Sequence, residues 1–422
     1  MQVLFIHQNF PGQYPHLAAA LLARGDQPVA IGGPSAKELP GIPLHRYNPM
    51  PAGGVPACHP WAEDFQIKCL RAEAVARLLE RLIGQGLAPD LVVGHPGWGE
   101  LLAIKDLLPA VPVLHHVEFV YQLAGADVGF DPEFASEAWR ASSRVRLKRA
   151  SQLLALHDLD WGLAPTHWQA ATAPAEFQNR ISVIHEGIDT RHIRPRAGAF
   201  VKLHRAGLTL EPGAEVVSFV ARNLEPYRGF HRFMRMLPQL QALRPKAQVV
   251  IVGGEGVSYG SAPAAGGSWK SVLLDELEGQ LDLNRIHFVG NVPLAVLHEL
   301  FRVTACHVYL TVPFVLSWSL LEAMACGAVV IGSATAPVRE VIRDGENGLL
   351  VDFFDGDGLA ERITAVLADP AAHRPLGEAA RQDMVAHYDL TKVCLPQQLA
   401  LVDRVAQIGQ GQIGVKSMGS PH

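Results

Sequence analysis

The sequence predicts an α/β protein built on two parallel, doubly wound sheets. Three observations predict it. Short apolar runs alternate with amphipathic helical stretches, the order of repeated β-α-β units. The runs are apolar throughout rather than alternating, as in strands covered on both faces. The alternation occurs twice, and the two passes are separated by Gly187 to Gly198, an aperiodic stretch rich in Arg and His that contains Pro195.

In the first pass, Val3 to Ile6 reads as a strand, and Leu17 to Arg24 as an apolar-faced helix closed by Gly25. Val29 to Ile31 is a second strand. Residues 64–84 place Phe65, Cys69, Val75, Leu78, Leu79, Leu82 and Ile83 at helical spacing. Leu91 to Gly94 and Val111 to Leu114 read as buried strands, residues 135–156 as a long helix, and Leu163 to Pro165 and Ile181 to Ile184 as later strands. The second pass runs from Val216 to about Val366. This gives domains over 1–190 and 200–390. Residues 254–268, rich in Gly, Ala and Ser, read as a long flexible loop, and the tail from Gly409 has no core pattern and is expected to fray.

The chain has 422 residues, enough for two full cores, and 49% hydrophobic residues place it among globular proteins. A net charge of −5 gives no basic field for nucleic acid. Five cysteines lie scattered without CxxC spacing, which fits free thiols in a reducing compartment better than disulfides or zinc. No apolar run approaches the ~20 residues of a membrane span, and no basic segment precedes the first strand. The cytoplasm is the expected setting.

The chemistry concentrates in the second pass. Pro313 to Gly327 follows an apolar run and turns into a helix. The start of such a helix presents backbone N–H groups near Ser317, Ser319 and Leu320 and the positive end of its dipole, a setting for phosphate. Glu322 can accept from a sugar hydroxyl. Arg222 and Arg228 flank a Pro-containing turn after the run Val216 to Val220, and two guanidiniums there could grip a diphosphate. Gly253 and Gly254 end another strand without the third glycine of a dinucleotide fingerprint. In the first pass, Gly12 lies in the loop after strand one, where it would let the backbone approach a ligand. His115, His116 and Glu118 cluster after a strand, and Trp98 sits in a Gly-bracketed loop, either as an exposed platform for a sugar ring or as packing between domains. No HxxxH or HExxH spacing suggests a metal. Asp355-Gly356-Asp357 reads as a helix cap. Trp139, Arg140, Arg144, Arg146, Lys148 and Arg149 form a basic helix face, a solvated face or a contact for an anionic membrane.

In order, Arg222 with Arg228, Ile251 to Gly254, Phe288 to Pro293, Leu321 to Gly327 and Asp344 to Val351 resemble the motifs of retaining glycosyltransferases of family 4. The opening Phe5 to Tyr14, together with Ser317 to Gly327, resembles one bacterial branch of that family. The resemblance implies the GT-B fold: two Rossmann-like doubly wound domains facing a central cleft, an acceptor-side domain first and a nucleotide-sugar domain second. The final helix, about 391–408, would pack back on the first domain.

The implied function is metal-independent, retaining transfer of a sugar from a UDP- or GDP-sugar, without a cofactor, to a glycan, lipid-linked or small-molecule acceptor. That activity would serve bacterial glycan biosynthesis, in the cytoplasm or at the inner face of the membrane. The implied catalytic residues are His116, with His115 the neighbouring option, and Arg222, Arg228 and Glu322. Gly12, Gly253, Gly254, Val292, Ser317, Ser319 and Leu320 would line the donor. The chain departs from the family at Phe314, which stands where the first of two signature glutamates is expected, and at Arg228, where lysine is commoner. Alternatives are a sugar-nucleotide binder without turnover and a nucleotide-sugar epimerase.

Overall fold

A computed structural model describes residues 1–51, 53–135 and 137–408. The tail from Gly409 lies outside the described residues. The chain divides into two compact units, Met1–Glu186 with the segment from Thr391 on, and Gly187–Leu390. The division falls at the first residue of the aperiodic Gly187 to Gly198 stretch.

Unit 1 has seven strands: β1 (Gln2–Ile6), β2 (Gln27–Gly32), β3 (Leu44–Arg46), β4 (Leu91–Gly94), β5 (Val113–His116), β6 (Trp161–Ala164) and β7 (Ile181–Val183). They form one parallel sheet in the order β3-β2-β1-β4-β5-β6-β7. Its helices are α1 (Pro15–Arg24), α2 (Glu63–Gly84), α3 (Ile104–Leu107), α4 (Ala138–His157), α5 (His167–Ala171) and α6 (Ala175–Gln178). The pleat explains the continuous apolar runs. Val3 and Phe5 pack with α1 residues Leu17 and Leu21, whereas Leu4 and Ile6 pack with α2 residues Val75 and Leu79.

Unit 2 opens with a small antiparallel pair, β8 (Val201–Leu203) and β9 (Leu208–Leu210). This pair was not expected, because its strands alternate apolar and polar over only three residues each (Val-Lys-Leu and Leu-Thr-Leu). The main sheet holds β10 (Val216–Asn223), β11 (Gln248–Gly254), β12 (Ile286–Gly290), β13 (Cys306–Tyr309), β14 (Val330–Ser333) and β15 (Leu349–Val351), all parallel, in the order β12-β11-β10-β13-β14-β15. The helices are α7 (Phe230–Leu243), α8 (Trp269–Glu276), α9 (Leu294–Val303), α10 (Trp318–Ala325), α11 (Ala336–Arg339), α12 (Gly356–Ala368) and α13 (Pro370–His387). A final helix, α14 (Leu395–Ile408), belongs to unit 1, where Leu401, Val402 and Val405 join the core of Val3, Phe5 and Leu17. Both units are doubly wound parallel sheets of the GT-B type.

Several expectations are corrected. The strand expected from Val111 begins at Val113, because Pro112 has no N–H for the ladder, and it runs on to include both His115 and His116. Cys69 is exposed, and Lys68 takes the inward position in α2, paired with Asp64 at 2.6 Å. The loop over 254–268 is tied down rather than loose. Glu225 accepts from the N–H groups of Ser258, Tyr259 and Gly260 (3.1, 3.2 and 2.9 Å), and Trp269 donates to the Ser261 carbonyl at 2.9 Å. The long helix starts at Ala138, not 135, after a single 3-10 turn at Pro132–Phe134. Among the described residues, no helix is long and apolar enough to cross a membrane.

One close contact in unit 2 fixes how α13 lies on α10. A Cβ at Gly377 would stand 2.3 Å from the carbonyl oxygen of Gly327. Gly377→Ala is therefore expected to wedge the two helices apart, at a cost of about 1–3 kcal/mol and a fall in Tm of about 2–10 °C. An unchanged thermal midpoint would mean that the backbone yields there without strain.

Candidate active site

In unit 2, the crossovers from β10 and β13 leave in opposite directions, so the loops beyond their carboxyl ends part and leave a crevice. The last residues of β10 include Arg222, the turn after the strand carries Arg228, and the segment after β13 carries Leu310 to Ser317. Arg228 ends a one-turn 3-10 helix, Pro226–Arg228, and the next residue, Gly229, is left-handed at φ 65°. A Cβ on Gly229 would lie 2.4 Å from Leu310 Cβ, so glycine lets the turn close onto the β13 side. Arg228 is buried. Its Nη1 donates to Tyr309 Oη (3.2 Å), Thr311 Oγ1 (3.0 Å) and the Val315 carbonyl (2.9 Å). All three acceptors are uncharged, so these bonds orient the guanidinium without cancelling its charge. Burial raises the Tyr309 pKa while Arg228 opposes the rise, and the phenol stays protonated as a fixed acceptor.

The amides at the start of α10 are not free. Ser317 N–H donates to Tyr309 Oη (2.8 Å), Ser319 N–H to the Ser317 hydroxyl (3.3 Å) and Leu320 N–H to the Ser317 carbonyl (3.1 Å). Ser317 caps the helix through the Ser319 N–H, so each of the three donors that the sequence reading left open has a partner. An incoming anion would have to displace the long Ser319 bond. Glu322 is buried on α10, with a carboxylate oxygen 3.6 Å from His298 Nε2 on α9.

Arg222 is exposed at the end of β10. Gly253 and Gly254 are the last two residues of β11, not a turn beyond it. A Cβ would stand 2.7 Å from the Ala221 carbonyl oxygen at Gly253, and 2.5 Å from Asn223 Oδ1 at Gly254. Close packing against the bulged end of β10 is thus reason enough for both glycines. Val292 is half-buried in the turn before α9. Asp355 caps α12 by accepting from Gly358 N–H at 2.8 Å.

In unit 1, the strand order reverses between β1 and β4, and three histidines stand at the carboxyl ends there. Ile6 pairs with Gly94 and Gly94 with His115, so the next residues, His7, His95 and His116, form a row. Ring centroids lie 6.2 Å apart for His7 and His95, and 6.1 Å for His95 and His116. Tyr14 sets its ring edge-on to both outer members, at 5.8 and 5.9 Å. His95 Nδ1 accepts from Gly97 N–H (2.9 Å), which leaves Nε2–H facing Glu118 at 3.2 Å. His116 Nε2 lies 3.2 Å from Glu186 Oε1. Burial would raise the Glu186 carboxyl, but His185 and His116 outweigh it and hold it down at about 2. Burial, reinforced by His95, keeps the His7 imidazole neutral with a pKa of about 3.

Successive strand residues face opposite ways, so only one of His115 and His116 can join this row. The geometry picks His116. Gly12 serves the same cluster: its φ is 52°, and a Cβ there would press within 2.6 Å of the His7 ring. Trp98 is not an open platform, because it is half-buried and stacked on His95 at 5.2 Å. The basic face of α4 is mixed. Trp139, Arg144 and Arg146 are exposed, whereas Lys148 lies 3.9 Å over the Tyr121 ring.

Sequence reasoning missed the row as a unit, although a signal was present: His7, His95 and His116 each fall at a strand end. It also missed Tyr14, Glu186, Tyr309 and Thr311 as partners, and the hold of Glu225 on a loop 33 to 35 residues away.

Comparison with known proteins assigns the chain to a family. The profile of the Glycosyl transferase family 4 group matches residues 24–193, and that of Glycosyl transferases group 1 matches residues 202–383. The chain is 32% identical over 293 residues to a D-inositol 3-phosphate glycosyltransferase of Mycolicibacterium vanbaalenii, covering 66% of this chain and 58% of the relative. It is 26% identical over 278 residues to one of Kribbella flavida, covering 64% and 61%. The chain thus spans about three fifths of the length of the curated relatives it matches. Among solved structures, a sucrose-phosphate synthase from Thermosynechococcus elongatus superposes with a TM-score of 0.70 at 19% identity, covering 98% of this chain and 100% of that one. Anabaena HepE in complex with UDP-glucose superposes at 0.66 and 19% identity, covering 96% and 99%. At that identity the superpositions establish the fold. With one profile on each unit and the GT-B architecture in both, the chain belongs to the family 4 glycosyl transferases of group 1.

Proposed function

We propose that this protein is a retaining glycosyltransferase that moves a sugar from a UDP- or GDP-sugar to a glycan, lipid-linked or small-molecule acceptor. The observation that carries the reading is the buried Arg228 guanidinium, held by three uncharged acceptors beside the capped start of α10. The leaving diphosphate gains negative charge as the glycosidic bond breaks, and a fixed, uncancelled cation stabilises that charge most in the transition state. Exposed Arg222 would add a weaker, solvent-screened contribution. Glu322 would accept from the ribose hydroxyls. Gly253, Gly254 and Val292 would border the donor, as in the family. In unit 1, His116 with its carboxylate partner Glu186 suits sugar hydroxyls, which both donate and accept. Retention would follow front-side attack, with the leaving phosphate taking the acceptor proton, and no protein nucleophile is required.

Charge neutralisation by arginine removes the need for a divalent ion, so the reading includes metal independence and no cofactor. The five free cysteines suit a reducing cytoplasm, with membrane contact through the exposed Trp139 and Arg146 region of α4 as an added element.

The test is transfer itself. Release of UDP or GDP should depend on added acceptor, keep the anomeric configuration by NMR and survive EDTA. Loss on chelation with recovery in Mn²⁺ would overturn metal independence, and an inverted anomer would overturn retention. Tight UDP or GDP binding without transfer across a broad acceptor panel would favour the second reading, a binder without turnover. The observation favouring that reading is Phe314, which stands where the family carries a carboxylate.

A further inference from the structure

Phe314 is 5% exposed and sits in an aromatic group of its own unit. Its ring centroid lies 5.0 Å from that of Tyr259 and 5.4 Å, edge-on, from that of Tyr227. The Arg228 guanidinium carbon lies 5.8 Å from the Phe314 ring centroid and 5.3 Å from that of Tyr259. Tyr259 belongs to a loop without helix or strand, yet it is pinned: the fully buried Glu225 carboxylate accepts from the N–H groups of Ser258, Tyr259 and Gly260. Asn223 adds a bond from its side-chain amide to the Ser258 hydroxyl at 2.7 Å. The turn that carries Arg228 therefore also carries, three residues earlier, the group that holds the ring against it.

We infer that Phe314 and Tyr259 form an aromatic clamp that fixes the Arg228 guanidinium for a diphosphate, with Glu225 as the tether of the Tyr259 loop. All three are positioning residues. A carboxylate at position 314 would pair with Arg228 and offset its charge. A phenyl ring holds the cation by its face and leaves the charge available to a ligand. The three bonds from Nη1 fix one edge of the guanidinium, and the rings restrict its tilt. Phe314 thus replaces a charged contact by a geometric one.

The inference rests on the proposed sugar-nucleotide reading, and the experiment separates the two. UDP and GDP are titrated calorimetrically into the full chain and its variants, with a melting temperature for each. Wild type should bind at least one of them, and Arg228→Ala should weaken that binding. Phe314→Leu and Tyr259→Leu should each weaken it about 5- to 30-fold, while Phe314→Tyr keeps near-normal affinity. In the Arg228→Ala background, Phe314→Leu should have no further effect, a coupling that a merely structural role would not produce. Glu225→Gln should weaken binding only while Tyr259 is present. If wild type binds neither nucleotide, the functional reading falls and the clamp with it. If Arg228→Ala weakens binding but the Phe314 and Tyr259 variants bind like wild type, the clamp is wrong and the reading stands. An equal loss from Phe314→Leu with and without Arg228 would also overturn the clamp.

Discussion

Replacing Arg228 by alanine is expected to slow sugar transfer by about 30- to 1000-fold, the scale of 2–4 kcal/mol seen when a fixed donor to a developing anion is removed. The loss should appear in kcat as well as in kcat/KM, because the diphosphate charge is greatest as the bond breaks. Arg222→Ala should cost less, about 3- to 10-fold. Arg222 lies near the end of β10, exposed and screened by water, whereas Arg228 follows the strand and is buried among Tyr309, Thr311 and Val315. Steady-state kinetics of the two single mutants, with thermal midpoints as a check on folding, tests this order. Near-normal turnover in Arg228→Ala would remove the assignment, and equal losses would show that burial is not what gives Arg228 its weight.

Acidification should unfold the protein well above the carboxylate range. Burial lowers the pKa values of His7 and His115 in unit 1 to about 3 and about 4 and that of His307 in unit 2 to about 3, and it lowers that of His185 of unit 1 as well. Unfolded, each would titrate near 6.5. Between these values the unfolded chain binds more protons than the folded one, so stability falls as pH falls. At pH 5 each of His7, His115 and His307 removes about 2 kcal/mol, or about 4 from the unit 1 pair and about 2 from unit 2. That is a large part of the 5–15 kcal/mol typical of a domain. Thermal unfolding followed between pH 7.5 and 5 should show a midpoint that drops steadily from about pH 6.5, with unit 1 the more sensitive. The paired carboxylates Glu118 and Glu186, both held below their ordinary value, add to the loss only under more acid conditions. A flat midpoint down to pH 5 would mean that these imidazoles find water or a partner when protonated.

Much of the fold was legible because strand runs and helix periods are local. The run Val3 to Ile6 and the helix with Val75, Leu78, Leu79 and Leu82 inward each carry their own pattern. What failed had a nonlocal cause. Nothing near residues 254–268 signals that Glu225 holds their backbone, and a Gly- and Ser-rich composition reads as looseness. Cys69 and Lys68 exchanged places because Asp64, one turn earlier, gives the lysine a partner at 2.6 Å. At the candidate site, residue types were legible and occupancy was not. Ser317 looks equally like an anion donor and a helix cap, and the Tyr309 hydroxyl that takes its N–H lies eight residues away in another element. His116 separates from His115 only once strand pairing sets which of the two joins His7 and His95.

The return of α14 to unit 1 inverts the order in which the two units can be completed during synthesis. Unit 2 is one unbroken segment, Gly187–Leu390, and all of it has been made before residue 391. Unit 1 begins first, yet Leu401, Val402, Val405 and Ala406 belong to the same core cluster as Val3, Phe5, Leu17 and Leu91. Arg24 of α1 also waits for Asp403, which it meets through two bonds of 2.8 Å. Until the last turns leave the ribosome, the α1 face of the first sheet stays partly uncovered, an apolar surface open to chaperones or to a neighbouring nascent chain. The unit started first is therefore the one finished last.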